Sequence, residues 1–152
     1  MTSTLRLEEF LPYRLARAAE IVSRDFAALY RERHGMTRPE WRVFATIGQF
    51  GTITATAIGA HSSMHKTKVS RAVFSLEKRR WINRQTDGAD RRVERLQLTR
   101  EGMLRFAELS TMAQAYEAQL VSAIGPEATG HLVKAMAALE TYATAHGRPD
   151  ER

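Results

Sequence analysis

The sequence predicts a mainly α-helical chain with one small β-hairpin, an α+β fold class that three observations support. Apolar residues recur at intervals of three and four over most of the chain, as helices with one buried face require. Between residues 81 and 98 the spacing changes to alternation around a turn-rich segment, which is typical of two paired strands. The 152 residues can bury one core without disulfides, and the chain has no cysteine.

Long helical patterns occupy both ends of the chain. The first covers residues 12–33. After the hairpin, a pattern over residues 99–125 is followed by Pro126, whose fixed φ suits the first turn of a further helix. These terminal helices are amphipathic enough to pair with a second copy of the chain.

Three shorter helices are predicted in the centre. The segment Thr37-Arg38-Pro39-Glu40 has the form of a capping box and opens the first of them. A short helix over residues 54–61 follows, and Ser62 and Ser63 are candidate N-caps for a longer helix that runs to Arg79. Two helices joined so closely form a helix-turn-helix.

The positive charge of the chain is concentrated in its middle part. The formal net charge is +6, but residues 34–100 alone hold thirteen Lys or Arg against five acids, a balance of +8. Residues 1–33 have a balance of +1 and residues 101–152 one of −3. A basic centre between near-neutral and acidic ends favours a module that binds a polyanion.

The helix after Ser63 has one apolar and one basic face. The inward stripe consists of Val69, Ala72, Val73 and Leu76. On the other face, lysine and the helix N-terminus suit phosphate, while Arg, Ser and Thr suit base edges in the major groove. The alternative is an ordinary solvated basic face. The candidate DNA contacts are Ser63, His65, Lys66, Thr67, Lys68, Ser70 and Arg71.

The predicted hairpin follows this helix directly and has arginines at its tip. One of the two, Arg91 or Arg92, is expected to enter a narrow minor groove, and Asp90 is expected to hold one guanidinium in place. The alternative is a charged surface turn. Helix and hairpin together predict a winged helix-turn-helix over residues 36–100. Around it we expect an N-terminal dimerisation region (1–35), C-terminal dimerisation helices (101–146) and a frayed tail (147–152).

In three ordered motifs the sequence resembles the MarR (multiple antibiotic resistance regulator) family. They are Lys66-Thr67-Lys68-Val69-Ser70-Arg71-Ala72-Val73 with Leu76-Glu77, then Asp90-Arg91-Arg92, then Leu96-Gln97-Leu98-Thr99-Arg100-Glu101-Gly102. The resemblance implies a homodimer with interlocking terminal helices. Its two winged modules would dock on consecutive major grooves of a pseudo-palindromic site in double-stranded DNA, usually to repress transcription.

Two positions depart from the pattern of this family. His65 stands where members often carry Asp at the start of the recognition helix, which removes a favourable helix-dipole charge and also a repulsion from phosphate. Arg80 stands where a glycine usually precedes the first strand of the wing. Either the helix continues through Arg80, or this residue adopts a strained left-handed conformation.

The resemblance also implies a small effector, bound between the dimerisation helices and the DNA-binding module. Aromatic side chains and cations cluster in sequence near that junction and suit an aromatic carboxylate or aromatic acyl-CoA. The alternatives are core positions for Tyr13 and Trp41, and ion pairs of the arginines with Glu8, Glu9 or Glu40. The candidate pocket residues are Tyr13, Arg14, Arg17, His34, Met36, Arg38, Trp41 and Arg42.

Several other functions are not supported by the sequence. No nucleophile, metal or phosphate-loop constellation predicts an enzyme or a bound cofactor. Peroxide sensing needs a reactive cysteine, and the five histidines are too scattered in sequence to predict zinc sensing. Glu8 and Glu9 interrupt the segment in which a secretory signal needs an apolar run, and no apolar stretch reaches membrane-spanning length, so we expect a cytoplasmic protein. Two alternative functions remain: a regulator of drug efflux or stress genes with a different effector, and a winged module that docks on protein.

Overall fold

The computed structural model describes residues 4–146, and the predicted tail at 147–152 lies outside them. Within the described residues the chain divides into two compact units, one that ends at Met112 and one that begins at Ala113, which we treat separately. In chain order its elements are α1 (Leu11–His34), α2 (Arg38–Phe50), β1 (Thr52–Thr54), α3 (Ala55–Ser62), α4 (Lys66–Lys78), β2 (Ile82–Thr86), β3 (Glu94–Leu98), α5 (Arg100–Ile124) and α6 (Pro126–His146). The predicted α+β fold class is confirmed.

Both hydrogen bonds of the predicted capping box are present at the start of α2. The Thr37 hydroxyl accepts the Glu40 amide at 3.4 Å, and the Glu40 carboxylate accepts the Thr37 amide at 2.9 Å. The preceding helix α1 ends at Gly35, whose φ of +62° is the left-handed conformation that glycine adopts without strain. Together these residues make a tight corner between α1 and α2.

The predicted N-caps of the helix α4 are wrong. Ser63 has a φ of +52° and ends α3 as its C-cap, while the Ser62 hydroxyl donates to the carbonyl of Ile58 at 2.6 Å. The N-cap is His65, whose Nδ1 accepts the Thr67 amide at 3.4 Å. Histidine at this position supplies the acceptor that a serine was expected to supply.

The sheet contains one strand that the sequence did not predict. Its order is β1-β3-β2, and both pairings are antiparallel. The unpredicted strand β1 has only three residues, of which Ile53 lies opposite Leu96 of β3. Three residues are too few for an alternating pattern, so only the partner strand reveals it.

The core of the first unit lies between the helices and this sheet. The helix-turn-helix and the sheet supply its centre, and α5 adds Leu109, which is fully buried. The inward stripe predicted for α4 is buried along its whole length. Other members of the core are Phe44 and Ile47 from α2, Ile58 from α3, and Leu96 from β3.

Arg80 adopts the left-handed conformation, with a φ of +59°. The amide of Arg80 donates to the Glu77 carbonyl at 2.8 Å, and the amide of Trp81 donates to the Leu76 carbonyl at 3.1 Å. These two bonds form a Schellman motif, which ends a helix with a left-handed residue, usually glycine. The helix therefore does not continue through Arg80. The backbone of this residue is strained, because a residue with a Cβ atom is held in the left-handed conformation.

We expect Arg80→Gly to stabilise the protein by about 1 kcal/mol, because glycine adopts this conformation without the clash of a Cβ atom. The melting temperature in thermal denaturation should rise by a few degrees, roughly 2–4 °C for a chain of this size. The matched control is Lys78→Gly, two residues earlier at the last helical position of α4, which should lower stability by about 1 kcal/mol. A lower melting temperature for Arg80→Gly than for the parent contradicts a strained cap.

The second unit consists of the end of α5 and the helix α6. No residue of α6 is buried, and every one except the half-buried Thr129 is exposed, including a set of large apolar side chains at helical spacing. No helix in residues 4–146 is long and apolar enough to cross a membrane. The exposed large apolar residues of α6 are Leu132, Val133, Met136, Leu139 and Tyr142.

Candidate nucleic-acid interface

The outer face of α4 presents the predicted polar and basic residues to solvent. Lys66, Thr67, Lys68, Ser70 and Arg71 are all exposed, as is the capping residue His65. Residues 66–74 contain no acid, and within residues 4–146 neither Lys66 nor Arg71 belongs to an ion pair. Ser63 is exposed as well, but it lies in the turn before the helix.

Sequence reasoning missed Phe74 on this outer face. Its side chain is 68% exposed, the highest value among the large apolar residues described. It follows Ser70 and Arg71 by four and three residues, so it shares their face of the helix. Helical spacing alone places Phe74 on this face, but an aromatic ring is not one of the basic or hydroxyl groups that mark a DNA-binding face in a sequence. Apolar side chains on a recognition helix can contact thymine methyl groups.

The tip of the wing is organised by hydrogen bonds to the backbone. Asp90 accepts the Arg92 amide at 2.9 Å, and its carbonyl accepts the Val93 amide at 3.0 Å. The expectation that Asp90 holds a guanidinium is wrong: within residues 4–146 it forms no ion pair with Arg91 or Arg92. Its carboxylate instead satisfies an amide that the tight turn leaves without a strand partner. Both arginines are exposed.

The ion pair of the wing lies nearer its base than predicted. Asp87 accepts the Ala89 amide at 2.9 Å and the Nε of Arg95 at 3.0 Å. The bond from the Ala89 amide, followed by the bond from Arg95, lowers the pKa of the Asp87 carboxyl. The turn is therefore held from both of its strands while the arginines of its tip stay free to contact a polyanion.

Arg84 connects the wing to the recognition helix. Its Nε donates to Glu77 of α4 at 2.7 Å, and Nη1 donates to Glu94 of β3. These bonds raise the pKa of the Arg84 guanidinium above its ordinary value. A fork of five donors can hold two carboxylates at once, so the wing and α4 keep a fixed relation. Pairs seven and ten residues apart in sequence follow no helical spacing, which is why sequence reasoning missed this bridge.

The candidate effector residues are only partly brought together. Arg38 forms two hydrogen bonds with the Glu20 carboxylate, at 2.9 and 3.1 Å, which joins the start of α2 to the middle of α1. Arg17 lies one turn before Glu20 on α1, and its guanidinium is 5.9 Å from the ring centroid of Tyr13. The ion pairs considered for Arg38 in the sequence are replaced by this one to Glu20. Arg14 and Arg42 are exposed.

Trp41 packs within an aromatic cluster. Its ring stacks on Tyr30 at a centroid distance of 5.6 Å and meets Phe26 edge-on at 5.1 Å. Trp41 is half-buried, and Arg38 and Arg42 lie three residues before it and one residue after it in the chain. Met36 is buried in the core. Two groups among the eight candidates therefore combine an aromatic ring with cations: Trp41 with Arg38 and Arg42, and Tyr13 with Arg17.

His34 is set apart from that group and faces other elements. Its side chain is 2% exposed, its ring meets Trp81 edge-on at 6.2 Å, and its Nε2 lies 3.9 Å from Glu108 Oε2 of α5. Burial lowers the pKa of His34, and the nearby Glu108 carboxylate opposes that shift. The neutral imidazole is therefore favoured.

A groove with a volume of about 710 Å³ lies between α1 and the first part of α5. Its lining mixes apolar with charged side chains, and it contains none of the candidate effector residues. Glu108, which faces His34, is one of its walls. The lining residues are Leu29, Glu32, Arg33, Glu108, Thr111 and Met112.

These elements define a class of protein: a winged helix-turn-helix with an exposed basic recognition helix and an arginine-tipped wing. A family model described as MarR family matches residues 34–93, which span the helix-turn-helix and most of the wing. The similarity to this family thus rests on the winged module of the chain. No curated protein sequence matches the chain.

Solved structures extend this result to the whole fold. The MarR family transcriptional regulator SPO1453 from Silicibacter pomeroyi DSS-3 has a TM-score of 0.76 at 28% identity, covering 90% of this chain and 99% of its own. The transcriptional repressor CouR, bound to a 23-mer DNA duplex, has a TM-score of 0.79 at 24% identity, covering 91% and 99%. NadR in complex with 4-hydroxyphenylacetate has a TM-score of 0.78 at 19% identity, covering 90% and 98%. The chain is thus similar in fold to solved transcriptional regulators.

Proposed function

We propose that the protein is a cytoplasmic transcriptional repressor that binds a pseudo-palindromic operator as a homodimer. An aromatic acid or its coenzyme A thioester releases it from the DNA. The observation that carries the DNA-binding part is the acid-free outer face of α4, fixed by Arg84 to a wing whose tip exposes Arg91 and Arg92. A helix for the major groove and a wing for the adjacent minor groove are thereby held in one rigid unit.

The charge distribution supports this assignment. The excess of +8 in residues 34–100 lies in the segment that carries both DNA-contacting elements, whereas residues 101–152 have a balance of −3. Phosphate contacts supply most of the non-specific affinity of such proteins, and base contacts supply specificity. Lys66 and Lys68 suit the first role, and Arg71 suits the second.

The homodimer is supported by the exposed apolar row on α6. Five large apolar side chains exposed within eleven residues of one helix form a surface that water does not favour. The same apolar row on a second copy of the helix can pack against this one and bury both. A two-fold dimer then presents two recognition helices to a two-fold operator. We propose this arrangement for the terminal helices.

The effector class is supported by the half-buried Trp41 and by the arginines that flank it in the chain, Arg38 and Arg42. An aromatic ring stacks on indole, and a carboxylate accepts hydrogen bonds from a guanidinium. NadR, which has the same fold, holds the aromatic carboxylate 4-hydroxyphenylacetate. Arg42 is exposed, whereas Arg38 is already paired with Glu20, so we assign the carboxylate contact to Arg42.

DNA binding is tested by titrating the protein against the DNA directly upstream of its gene and against a shuffled duplex of equal length. We expect a dissociation constant for the upstream DNA on the order of 10⁻⁸ M or lower at physiological salt. Affinity should fall steeply between about 50 and 200 mM salt. Equal affinity for both duplexes contradicts a specific regulator and favours a module that docks on another partner.

Effector binding is tested on the preformed protein–DNA complex, with 4-hydroxyphenylacetate and a hydroxycinnamoyl-CoA thioester as probes. We expect one of them to release the DNA, and Arg42→Ala to raise the concentration required about tenfold or more. A hydrogen bond to a charged group contributes about 1.5–3 kcal/mol, which corresponds to that factor. The matched control is Arg31→Ala, an exposed arginine of α1 outside the candidate group. Release by neither compound rejects the proposed effector class.

A further inference from the structure

Arg79 joins the end of α1 to the end of the recognition helix. It is the C-cap of α4, and its guanidinium donates to two backbone carbonyls of the preceding corner: Nη1 to His34 at 2.8 Å and Nη2 to Gly35 at 2.7 Å. Carbonyls at a helix C-terminus have no partner within the helix and carry partial negative charge. A cation held on them by two bonds ties the two helix ends together.

Glu40 brings α2 into the same junction. Its side chain is only 9% exposed, and its Oε2 lies 3.5 Å from Arg79 Nη2 while it also accepts the Thr37 amide. Its Oε1 accepts the hydroxyl of Ser75, which lies one turn before Arg79 on α4. A buried carboxylate needs such a set of donors, because an unpaired charge in the interior is strongly unfavourable. The recognition helix is thus attached to the α1–α2 corner at two points.

Trp81 extends the junction to the wing. The guanidinium of Arg79 lies 5.1 Å from the centroid of the Trp81 ring, in a cation–π contact, and the His34 ring meets the same indole edge-on. Trp81 directly precedes the first strand of the hairpin, β2. One side chain therefore contacts the end of α1, the acid of α2 and the entry to the wing.

We propose that Arg79 is a positioning residue that couples the end of α1 to the recognition helix, so that a displacement of α1 changes how α4 meets DNA. The inference rests on the proposed DNA-binding function. It adds the contacts through which α1, the proposed dimerisation helix, would affect DNA binding by α4. The three acceptors of Arg79 require a planar fork of donors. Lysine keeps the charge but offers a single nitrogen, which cannot span them.

The test is amide hydrogen exchange at residues 31–36, measured with and without saturating upstream DNA. In the parent protein, DNA binding to α4 should slow exchange at this end of α1 by about fivefold or more, the lower range of couplings between sites. Arg79→Lys should abolish this slowing while DNA still slows exchange within α4. The matched control is Arg80→Lys, the same change at the next position, whose side chain is exposed, and it should behave as the parent does.

The possible outcomes separate this inference from the function on which it rests. Persistent slowing at residues 31–36 in Arg79→Lys overturns the coupling role, as does its absence in the DNA-bound parent. Failure of the parent to bind the upstream DNA in the same samples overturns the proposed function itself. Should Arg79→Lys not fold, Ser75→Ala takes its place, because it removes only the hydroxyl bond to Glu40. It should reduce the slowing, and an unchanged value counts against the junction.

Discussion

Gly102→Ala is expected to lower the melting temperature by roughly 6–12 °C, equivalent to about 3 kcal/mol for a chain of this size. A Cβ atom at this position would lie 1.9 Å from the carbonyl oxygen of Trp81 and 2.9 Å from its carbonyl carbon. The obstacle is backbone, so no side-chain rotation relieves it. That carbonyl also accepts the Thr99 amide at 2.9 Å, and this bond fixes the start of α5 beside the entry to the wing. The helix must move to accommodate a methyl group.

The matched control is Gly130→Ala, in the interior of α6. Within residues 4–146, and apart from its chain neighbours and the backbone of its own helix, nothing lies within 4 Å of a Cβ at that position. Because alanine has the higher helix propensity, this variant should gain up to about 1 kcal/mol. Thermal denaturation of the three proteins under one set of conditions distinguishes steric overlap from a general effect of replacing glycine. If Gly102→Ala melts with the parent, the contact between α5 and Trp81 is not as close as described.

Lys66→Ala and Arg71→Ala are expected to weaken DNA binding in different ways. Arg71→Ala should lower affinity for the upstream DNA by about 1–3 kcal/mol, roughly tenfold to a hundredfold, and affinity for a shuffled duplex much less. Lys66→Ala should weaken binding to both duplexes and reduce the salt slope by about 1, because it removes one phosphate contact. Both side chains are exposed on the acid-free face of α4.

The control for both variants is Lys134→Ala, which makes the same change in net charge on α6. It should bind both duplexes as the parent does, since the proposed contacts are local to α4 and the wing. The readout is fluorescence anisotropy with each duplex at three salt concentrations. Identical losses for Lys66→Ala and Arg71→Ala on both duplexes would show that α4 contributes charge alone and does not read bases.

The helices of this fold follow from the sequence because their signals are local. The capping box at Thr37 and Glu40, the apolar stripe of α4 and the proline that restarts α6 each act within a few residues. Arg80, which stands where the resembled family usually has glycine, was also informative as a local signal. A residue placed where glycine is usual predicted either a continued helix or strain, and the φ of +59° shows the strain.

What the sequence did not predict depends on contacts between distant residues. The strand β1 is defined only by its pairing with β3, and the N-cap of α4 depends on where α3 ends. The same holds for the site. Exposed groups such as Lys66 and Arg71 were identified from helical spacing. The bridge of Arg84 to two glutamates joins residues that no local pattern relates.

The contacts of Glu40 and Arg79 also could not be predicted from the sequence, because they join residues that are even farther apart in the chain. Glu40 was predicted as one half of a capping box, and it is that, but it also accepts the hydroxyl of Ser75 thirty-five residues away. Arg79 reaches carbonyls forty-four and forty-five residues before it. Backbone carbonyls are the same at every residue, so no sequence pattern marks these as its partners.

The central claim is that two copies of this winged helix-turn-helix bind consecutive major grooves, and a hydroxyl-radical footprint of the upstream DNA tests it most directly. We predict two protected patches on one side of the duplex, with centres about one helical turn, or ~10 base pairs, apart. Inserting about half a turn, ~5 base pairs, between them should abolish the paired footprint, because the two recognition helices then face opposite sides of the DNA. A single patch, or a paired footprint that survives the insertion, contradicts the claim.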